Sequence, residues 1–197
     1  MALRGWSWEA AVGPEGVRDR PLLEALQTVL PDEVVERAIE ATATREQRRR
    51  LLPTHMVVTL VVAMGLWAGE SMRHALAAVV DGWRESDAAA EEHWHLPCTA
   101  ALVRARKRVG VRLLRVLFHS VAGPIATPQT PGAFLNGLRL MALDGTTLEV
   151  ADTSANERAF GRPSTPRGTS AYPQVRLVGL IEIGTHALCD VVLRPCR

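Results

Sequence analysis

Proline and glycine cluster in AGPIATPQTPGAFLNG, residues 122–137, and the pattern of apolar residues differs on the two sides of this segment. Upstream, apolar residues recur every three or four positions, which is typical of amphipathic helices. Downstream, they form short continuous or alternating runs, which are typical of strands. Because Pro and Gly interrupt both kinds of element, we interpret residues 123–137 as a linker. The pattern predicts an α+β protein with an unstructured N-terminus (1–17), an all-helical domain (18–122) and a strand-containing domain (138–197).

The helical part contains the most apolar segment of the chain, MVVTLVVAMGLWAG, residues 56–69. A membrane-spanning helix needs roughly 20 apolar residues, so this shorter run predicts a buried helix and no membrane partner. The first 20 residues lack the apolar core of a signal peptide. Three widely spaced cysteines without a CxxC pair argue against a zinc knuckle and a disulfide scaffold. These features together predict a cytoplasmic protein.

The charges of the chain are unevenly distributed. The formal net charge is only +2, yet residues 98–143 carry seven basic residues and no acidic residue. Six of the seven lie in the last helical segment: Arg104, Arg106, Lys107, Arg108, Arg112 and Arg115. Clustered arginines bind phosphate oxygens well, so these six are candidate DNA-binding residues. The alternative is an ordinary solvated helix face, and the sequence leaves both interpretations open.

Three strands are predicted after the linker. GLRLMALDGTTLEV, residues 137–150, predicts the first, and QVRLVGLIEIGTHALCDVVL, residues 174–193, predicts a hairpin that turns at Gly184. Both faces of these strands are largely apolar, which predicts a central sheet covered by helices on each side. Between the strands, Ser154 and Glu157 have the spacing of a capping box, and they predict a short helix that ends at Gly161.

Asp144 is the candidate catalytic residue. The pattern places it at the carboxyl end of the first apolar strand, directly before Gly-Thr-Thr. A carboxylate in such a position can hold a hard divalent cation such as Mg²⁺. The alternative is a turn aspartate that accepts a hydrogen bond from the backbone of the following glycine.

Longer stretches resemble a known family. LMALDGTTLEVADTSANERAFGRP (140–163) and AYPQVRLVGLIEIGTHAL (171–188) resemble the opening of the catalytic domain of insertion-sequence-4-type transposases. EQRRRLLP (46–53), ALVRARKRVG (101–110) and LFHSVAGPIATPQTPGAF (117–134) resemble the N-terminal domain of the same family. The resemblance covers residues 18–193, and its most specific part is residues 143–160.

The resemblance implies an RNase H-like catalytic core of the DDE class, in which three carboxylates hold two Mg²⁺ ions. Such a pair of ions stabilises the attacking and leaving oxygens during phosphodiester cleavage and strand transfer. Asp144 matches the first of the three acids, so the resemblance makes it a catalytic residue and a metal ligand. The implied partners are DNA at the ends of the insertion element and target DNA. The parent enzyme could be a homodimer, associated with the nucleoid.

The chain also departs from the family pattern. The second acid and the glutamate of the family follow later elements, and none of Glu149, Asp152, Glu182 and Asp190 matches their positions. We therefore interpret the chain as an inactive fragment of a transposase, containing the N-terminal domain and the first three strands of the catalytic domain. The alternatives are a non-catalytic DNA-binding or dimerisation module that uses the basic helices, and an unexpressed gene remnant.

Overall fold

A computed structural model describes residues 19–48, 50–86, 96–166 and 168–196. The chain divides into two compact units, with the boundary after Val121. The predicted unstructured N-terminus, residues 1–17, lies outside the described residues. The predicted linker, residues 123–137, belongs to the second unit, and its last residues include a short strand. Five described helices precede the first strand, and the rest of the chain is mainly strands, so the predicted α+β class is confirmed.

The described part of the first unit is helical. Its helices are α1 (Asp19–Val29), α2 (Asp32–Thr42), α3 (Thr54–Leu66), α4 (Met72–Ser86) and α5 (Thr99–Val121). α3 contacts α2, α4 and α5, which explains why almost its whole sequence is apolar. Val57, Val58 and Leu60 of α3 are completely buried. The predicted buried helix is confirmed, and none of the described helices is long and apolar enough to cross a membrane.

α5 is the longest described helix, and it changes direction at one residue. Gly110 has φ 72° and ψ 172°, a conformation that separates two helical segments and that glycine adopts without steric cost. The buried face continues on both sides of this break: it comprises Leu102, Ala105, Val109, Leu113 and Leu117. The spacing of these residues, three or four positions apart, keeps α5 against α2 and α3.

The second unit is built on one antiparallel sheet. Its strands are β3 (Met141–Glu149), β6 (Gln174–Glu182) and β7 (Leu188–Pro195), in the order β3-β6-β7. Two small hairpins, β1 (Phe134–Leu135) with β2 (Leu138–Arg139) and β4 (Ser164–Thr165) with β5 (Gly168–Thr169), complete the described strands. A helix of seven residues, α6 (Ser154–Phe160), contacts β7. The three main strands correspond to the three predicted strands.

Gly184 lies in the turn between β6 and β7, as predicted, but the turn is not what requires a glycine. A Cβ atom at Gly184 would lie 2.4 Å from Cβ of Ala133 and 2.7 Å from its Cα. The segment that contains Ala133 therefore packs directly on the backbone of the hairpin. The close approach of two chain segments selects glycine here.

Three sequence predictions for the second unit are wrong. Helices do not cover both faces of the sheet in the described structure, because α6 is too short; Leu143 is 75% exposed and Leu193 is 54% exposed. The N-cap of α6 is Thr153 rather than Ser154, since Oγ1 of Thr153 accepts a hydrogen bond from N of Asn156 at 3.2 Å. Asp144 lies inside β3 rather than at its end, because the Gly-Thr-Thr segment continues the pairing with β6.

Candidate nucleic-acid interface and the Asp144 strand

All six candidate DNA-binding residues lie on α5 and are exposed. They differ in their contacts. Arg104, Lys107, Arg112 and Arg115 make no hydrogen bond or ion pair with any described residue. Arg104 and Lys107 are three positions apart on one side of Gly110, and Arg112 and Arg115 are three apart on the other, so each pair shares a helix face. Within the described part of the chain nothing occupies these four side chains, which makes them candidates for binding an anion.

Arg106 and Arg108 have partners within the first unit. Nη1 of Arg106 lies 3.2 Å from Sδ of Met72. Nη2 of Arg108 donates to the carbonyl oxygen of Leu52 at 2.6 Å and lies 3.8 Å from the carboxylate of Glu46. Arg108 therefore attaches α5 to the segment between α2 and α3. The sequence pattern did not indicate this contact, because its two residues are 56 positions apart.

The segment between α2 and α3 is held by hydrogen bonds at both of its ends. After α2, Ala43 has a left-handed conformation (φ 54°), and its N–H donates to the carbonyl oxygen of Glu40 at 3.1 Å. Oγ1 of Thr54 lies 2.9 Å from the carbonyl oxygen of Thr44 and 2.6 Å from the carboxylate of Glu46, and these two acceptors share its one hydroxyl hydrogen. The same carboxylate accepts a hydrogen bond from N of Thr54, the first residue of α3. Glu46 thus caps α3 from outside the helix.

Glu46 is ionised more readily than an ordinary glutamate. Burial on its own would raise the pKa of this carboxyl, but the hydrogen bonds from Thr54, together with the positive charge of Arg108, lower the pKa below its usual value. The carboxylate is consequently bound to Thr54, the first residue of α3, and lies near Arg108. An open cleft of about 480 Å³ lies beside it. The cleft is lined by Ala43, Thr44, Arg45, Glu46, Gln47, Arg48, Arg50 and Arg108.

Asp144 is an exposed residue in the middle of β3, opposite Gly179 of β6. Its Oδ1 accepts a hydrogen bond from N of Gly145 at 2.8 Å. This is the hydrogen bond of the non-catalytic interpretation, although it forms within a strand instead of a turn. The carboxylate remains accessible, but one of its two oxygens is engaged locally.

Other acids of the sheet do not join Asp144. Residues directly paired in an antiparallel sheet point to the same face, and neighbours along a strand point to opposite faces. Asp190 pairs with Leu180, which pairs with Leu143, so Asp190 lies on the face opposite to Asp144. Glu182 pairs with Met141 and Glu149 lies five positions after Asp144, which places both on that opposite face as well. Asp152, in the segment after β3, forms an ion pair with Arg162.

The described residues accordingly do not form a magnesium site. Among the ranges 19–48, 50–86, 96–166 and 168–196, no group of three or more His, Cys, Asp or Glu side chains could hold a metal ion. A pair of Mg²⁺ ions needs several carboxylate oxygens at octahedral positions. Asp144 supplies a single carboxylate, so the implied cofactor does not fit the residues that the structure places around it.

Glu182 has a structural role that the sequence analysis did not identify. Its side chain is completely buried. Its carboxylate accepts hydrogen bonds from N of Ile125 at 3.1 Å, from N of Ala126 at 2.7 Å and from Oγ1 of Thr185 at 2.6 Å, and it forms an ion pair with Arg139. Burial would raise the pKa of Glu182, but these four partners lower it to about 2. An acid inside the apolar run of β6 was the available signal, since a buried charge requires partners.

Comparison with known proteins identifies the class. The family model described as "insertion element 4 transposase N-terminal" matches residues 20–119, half of the chain. The chain belongs to this transposase family.

Two relatives from Escherichia coli (strain K12) extend the similarity into the second unit. The chain is 30% identical over 169 residues to the transposase InsG for insertion sequence element IS4, and the match covers 84% of this chain and 36% of InsG. It is likewise 30% identical over 169 residues to the putative transposase InsZ, covering 85% of this chain and 53% of InsZ. The chain thus spans about a third to a half of the length of these relatives. No solved structure matches the chain.

Proposed function

We propose that this chain acts in DNA transposition and that its first unit binds duplex DNA through the exposed basic face of α5, defined by Arg104, Lys107, Arg112 and Arg115. The observation that carries the proposal is that these four cations have no partner among the described residues. No acidic residue lies between positions 98 and 143 to neutralise them. Membership of a transposase family supports DNA as the polyanion that they contact. Such contacts would be made with phosphates, without reading base sequence.

A salt series with matched variants tests this proposal. Affinity for a labelled duplex is measured for the wild type, for Lys107→Gln/Arg112→Gln and for Arg37→Gln/Arg73→Gln, which removes the same charge from exposed residues of α2 and α4. Each lost phosphate contact should reduce the slope of log K against log salt by about 0.9. The α5 variant should show a smaller slope than the wild type, and the control variant should not. Equal slopes for all three proteins would refute a DNA-binding role for α5.

For the second unit, we propose that Asp144 supplies one carboxylate to a Mg²⁺-dependent site for DNA cleavage and strand transfer in an RNase H-like domain, a site whose other ligands are not among the described residues. The three-stranded antiparallel sheet β3-β6-β7 supports this proposal, as does the similarity to InsG and InsZ, which extends into the second unit. The ends of an insertion element and its target would be the DNA partners, with a homodimer and nucleoid association as further parts of the proposal.

The positions of the acids lead to an expectation about DNA cleavage. Since the other acids of the sheet face away from Asp144, the 197 residues alone are expected not to cleave DNA. Supercoiled plasmid incubated with the chain and Mg²⁺ or Mn²⁺ should remain supercoiled. Metal-dependent nicking by the wild type that is absent from Asp144→Ala would contradict the expectation, and it would show that local acids complete the site.

The isolated position of Asp144 also supports a second candidate function, a non-catalytic DNA-binding or dimerisation module. This module would use α5 and would not need Asp144. Asp144→Ala should then leave both DNA affinity and its salt slope unchanged. The same measurement on the α5 variant separates the module from a chain that does not bind DNA at all.

A further inference from the structure

The cleft beside Glu46 is lined by the segment that connects α2 to α3 and by Arg108 of α5. It carries more positive charge than the described acids around it neutralise. Its described lining residues include four arginines, Arg45, Arg48, Arg50 and Arg108, and one acid, Glu46. Arg45 forms ion pairs with Glu36 and, at 3.7 Å, with Glu40. Arg108 is bound to Leu52 and Glu46.

Arg48 and Arg50 differ from these two arginines, because no described residue is their partner. Neither forms a hydrogen bond or an ion pair with a described residue, and both are exposed. Glu46 does not neutralise them, because its carboxylate accepts hydrogen bonds from the backbone N–H and the hydroxyl of Thr54 and lies near Arg108. Two guanidinium groups therefore line one cleft with their donors unused, an arrangement that suits the several oxygens of a phosphate.

Described residues on both sides of these two arginines are anchored by hydrogen bonds. The left-handed Ala43, the hydrogen bonds of Thr54 to Thr44 and Glu46, and the contact of Arg108 with Leu52 connect the segment to α2, α3 and α5. These flanking residues are therefore held in place before a ligand binds. Such preorganisation lowers the entropy lost on binding and raises the affinity of a site.

We infer that the cleft lined by Arg48 and Arg50 binds a phosphate of a nucleic-acid backbone, as a second contact that supplements the basic face of α5. In this arrangement Arg108 is a positioning residue, which holds the segment through Leu52 and Glu46 and leaves phosphate binding to Arg48 and Arg50. The inference rests on the proposed DNA binding of the first unit. It adds a phosphate site outside α5, and substitutions can remove this site without changing the basic face of α5.

Charge-matched variants of the 197-residue chain test the inference. Arg48→Gln/Arg50→Gln removes the cleft cations, Lys107→Gln/Arg112→Gln removes two cations of α5, and Arg37→Gln/Arg73→Gln is the control. Duplex affinity is measured by fluorescence anisotropy in a chloride buffer free of phosphate. We expect the cleft variant to bind roughly tenfold more weakly than the control, because bonds to charged groups are lost. Its salt slope should fall by about 0.9 for one lost phosphate contact. Unchanged circular dichroism and melting would show that the variant is folded.

The outcomes separate the cleft inference from the proposed DNA binding through α5. A cleft variant that matches the control, while the α5 variant is weakened, overturns the cleft inference and leaves the proposed function intact. If the wild type shows no salt-dependent binding, both fail. A last arm distinguishes DNA from free phosphate: inorganic phosphate is titrated while the arginine Nε–Hε signals are followed by NMR. The inference would be overturned if phosphate changed the chemical shifts of the Arg48 and Arg50 signals while the cleft variant kept its full affinity for DNA. That result would identify a free-phosphate site.

Discussion

At the scale of single residues, the carboxylate of Glu182 connects distant parts of the second unit. Its partners come from the segment before β1 (Ile125 and Ala126), from β2 (Arg139) and from the β6–β7 turn (Thr185). A buried charge is tolerated when each of its lone pairs is satisfied. Glu182 meets this condition because four donors converge on it. Glu182 therefore ties the segment before β1, strand β2 and the β6–β7 turn to one another.

Glu182→Gln tests this role. The amide places an NH₂ group among donors and leaves the guanidinium of Arg139 without its charge partner, so the second unit should be destabilised. Breaking one side of a buried ion pair is strongly unfavourable, and we expect the Tm to fall by roughly 5 °C or more. The matched control is Glu149→Gln, at an exposed glutamate of the same sheet, which should leave the Tm almost unchanged. Equal melting of the two variants would refute the role of Glu182.

The pKa of Glu182 gives a prediction for pH dependence. Its pKa is lowered from 4.5 to about 2 in the folded protein. A carboxyl with a lowered pKa contributes stability that is fully present above its unfolded pKa and is lost as the pH falls through its folded pKa. The Tm difference between the wild type and Glu182→Gln should thus be constant above about pH 4.5 and shrink towards about pH 2. Thermal melts across this range measure it, and a difference that persists to the acid end would contradict the assignment.

Gly184 gives a steric prediction at the same scale. Gly184→Ala should destabilise the second unit, because the new Cβ would lie within 3 Å of three atoms of Ala133 and packed cores tolerate extra atoms poorly. The expected loss is about 1–3 kcal/mol, measured by denaturant unfolding. Gly123→Ala is the matched control, since a Cβ there meets no atom within 4 Å. Equal free energies of unfolding for the two variants would contradict the close approach of Ala133 to Gly184.

At the scale of elements, the start of α3 depends on a residue outside it. Glu46 accepts hydrogen bonds from N and Oγ1 of Thr54. Glu46→Ala should lower the free energy of unfolding of the first unit by about 1–2 kcal/mol, the range for a lost helix N-cap. Glu33→Ala, at an exposed residue of α2, removes the same charge without a loop contact and serves as control. Urea melts of both variants measure the difference, and equal unfolding energies would show that Glu46 does not cap α3.

The elements also show what local sequence could and could not predict. α3 and β6 were predictable because their apolar runs are dictated by burial in the final structure. Asp144 was misplaced because Gly-Thr-Thr has the composition of a turn, whereas pairing of β3 with β6 continues to Glu149 and Gln174. Pairing with a neighbouring strand overrode the local preference. Arg108 was grouped with the free cations because its contact with Leu52 is distant in sequence.

At the scale of the whole molecule, the two units differ in how well they bury their apolar residues. The helical unit encloses a continuous core from Leu26 to Leu117. In the second unit, the edge strands β3 and β7 carry exposed apolar residues, including Leu143, Leu148, Val192 and Leu193. The strands are predictable from their apolar sequence, but the sequence does not show which of their faces is covered. That depends on the number and length of the elements packed against them.

The exposed strands predict self-association of the 197-residue chain. Edge strands with apolar side chains pair with other chains, and a charge placed on the edge opposes this pairing. Leu143→Lys should reduce concentration-dependent association, measured by sedimentation velocity. Thr147→Lys is the control, because it adds the same charge on the same face of β3 while leaving Leu143, which is 75% exposed, in place. The control should associate more strongly than Leu143→Lys. A wild-type chain that remains monomeric at all concentrations, or equal association of the two variants, would show that this strand is not an association surface.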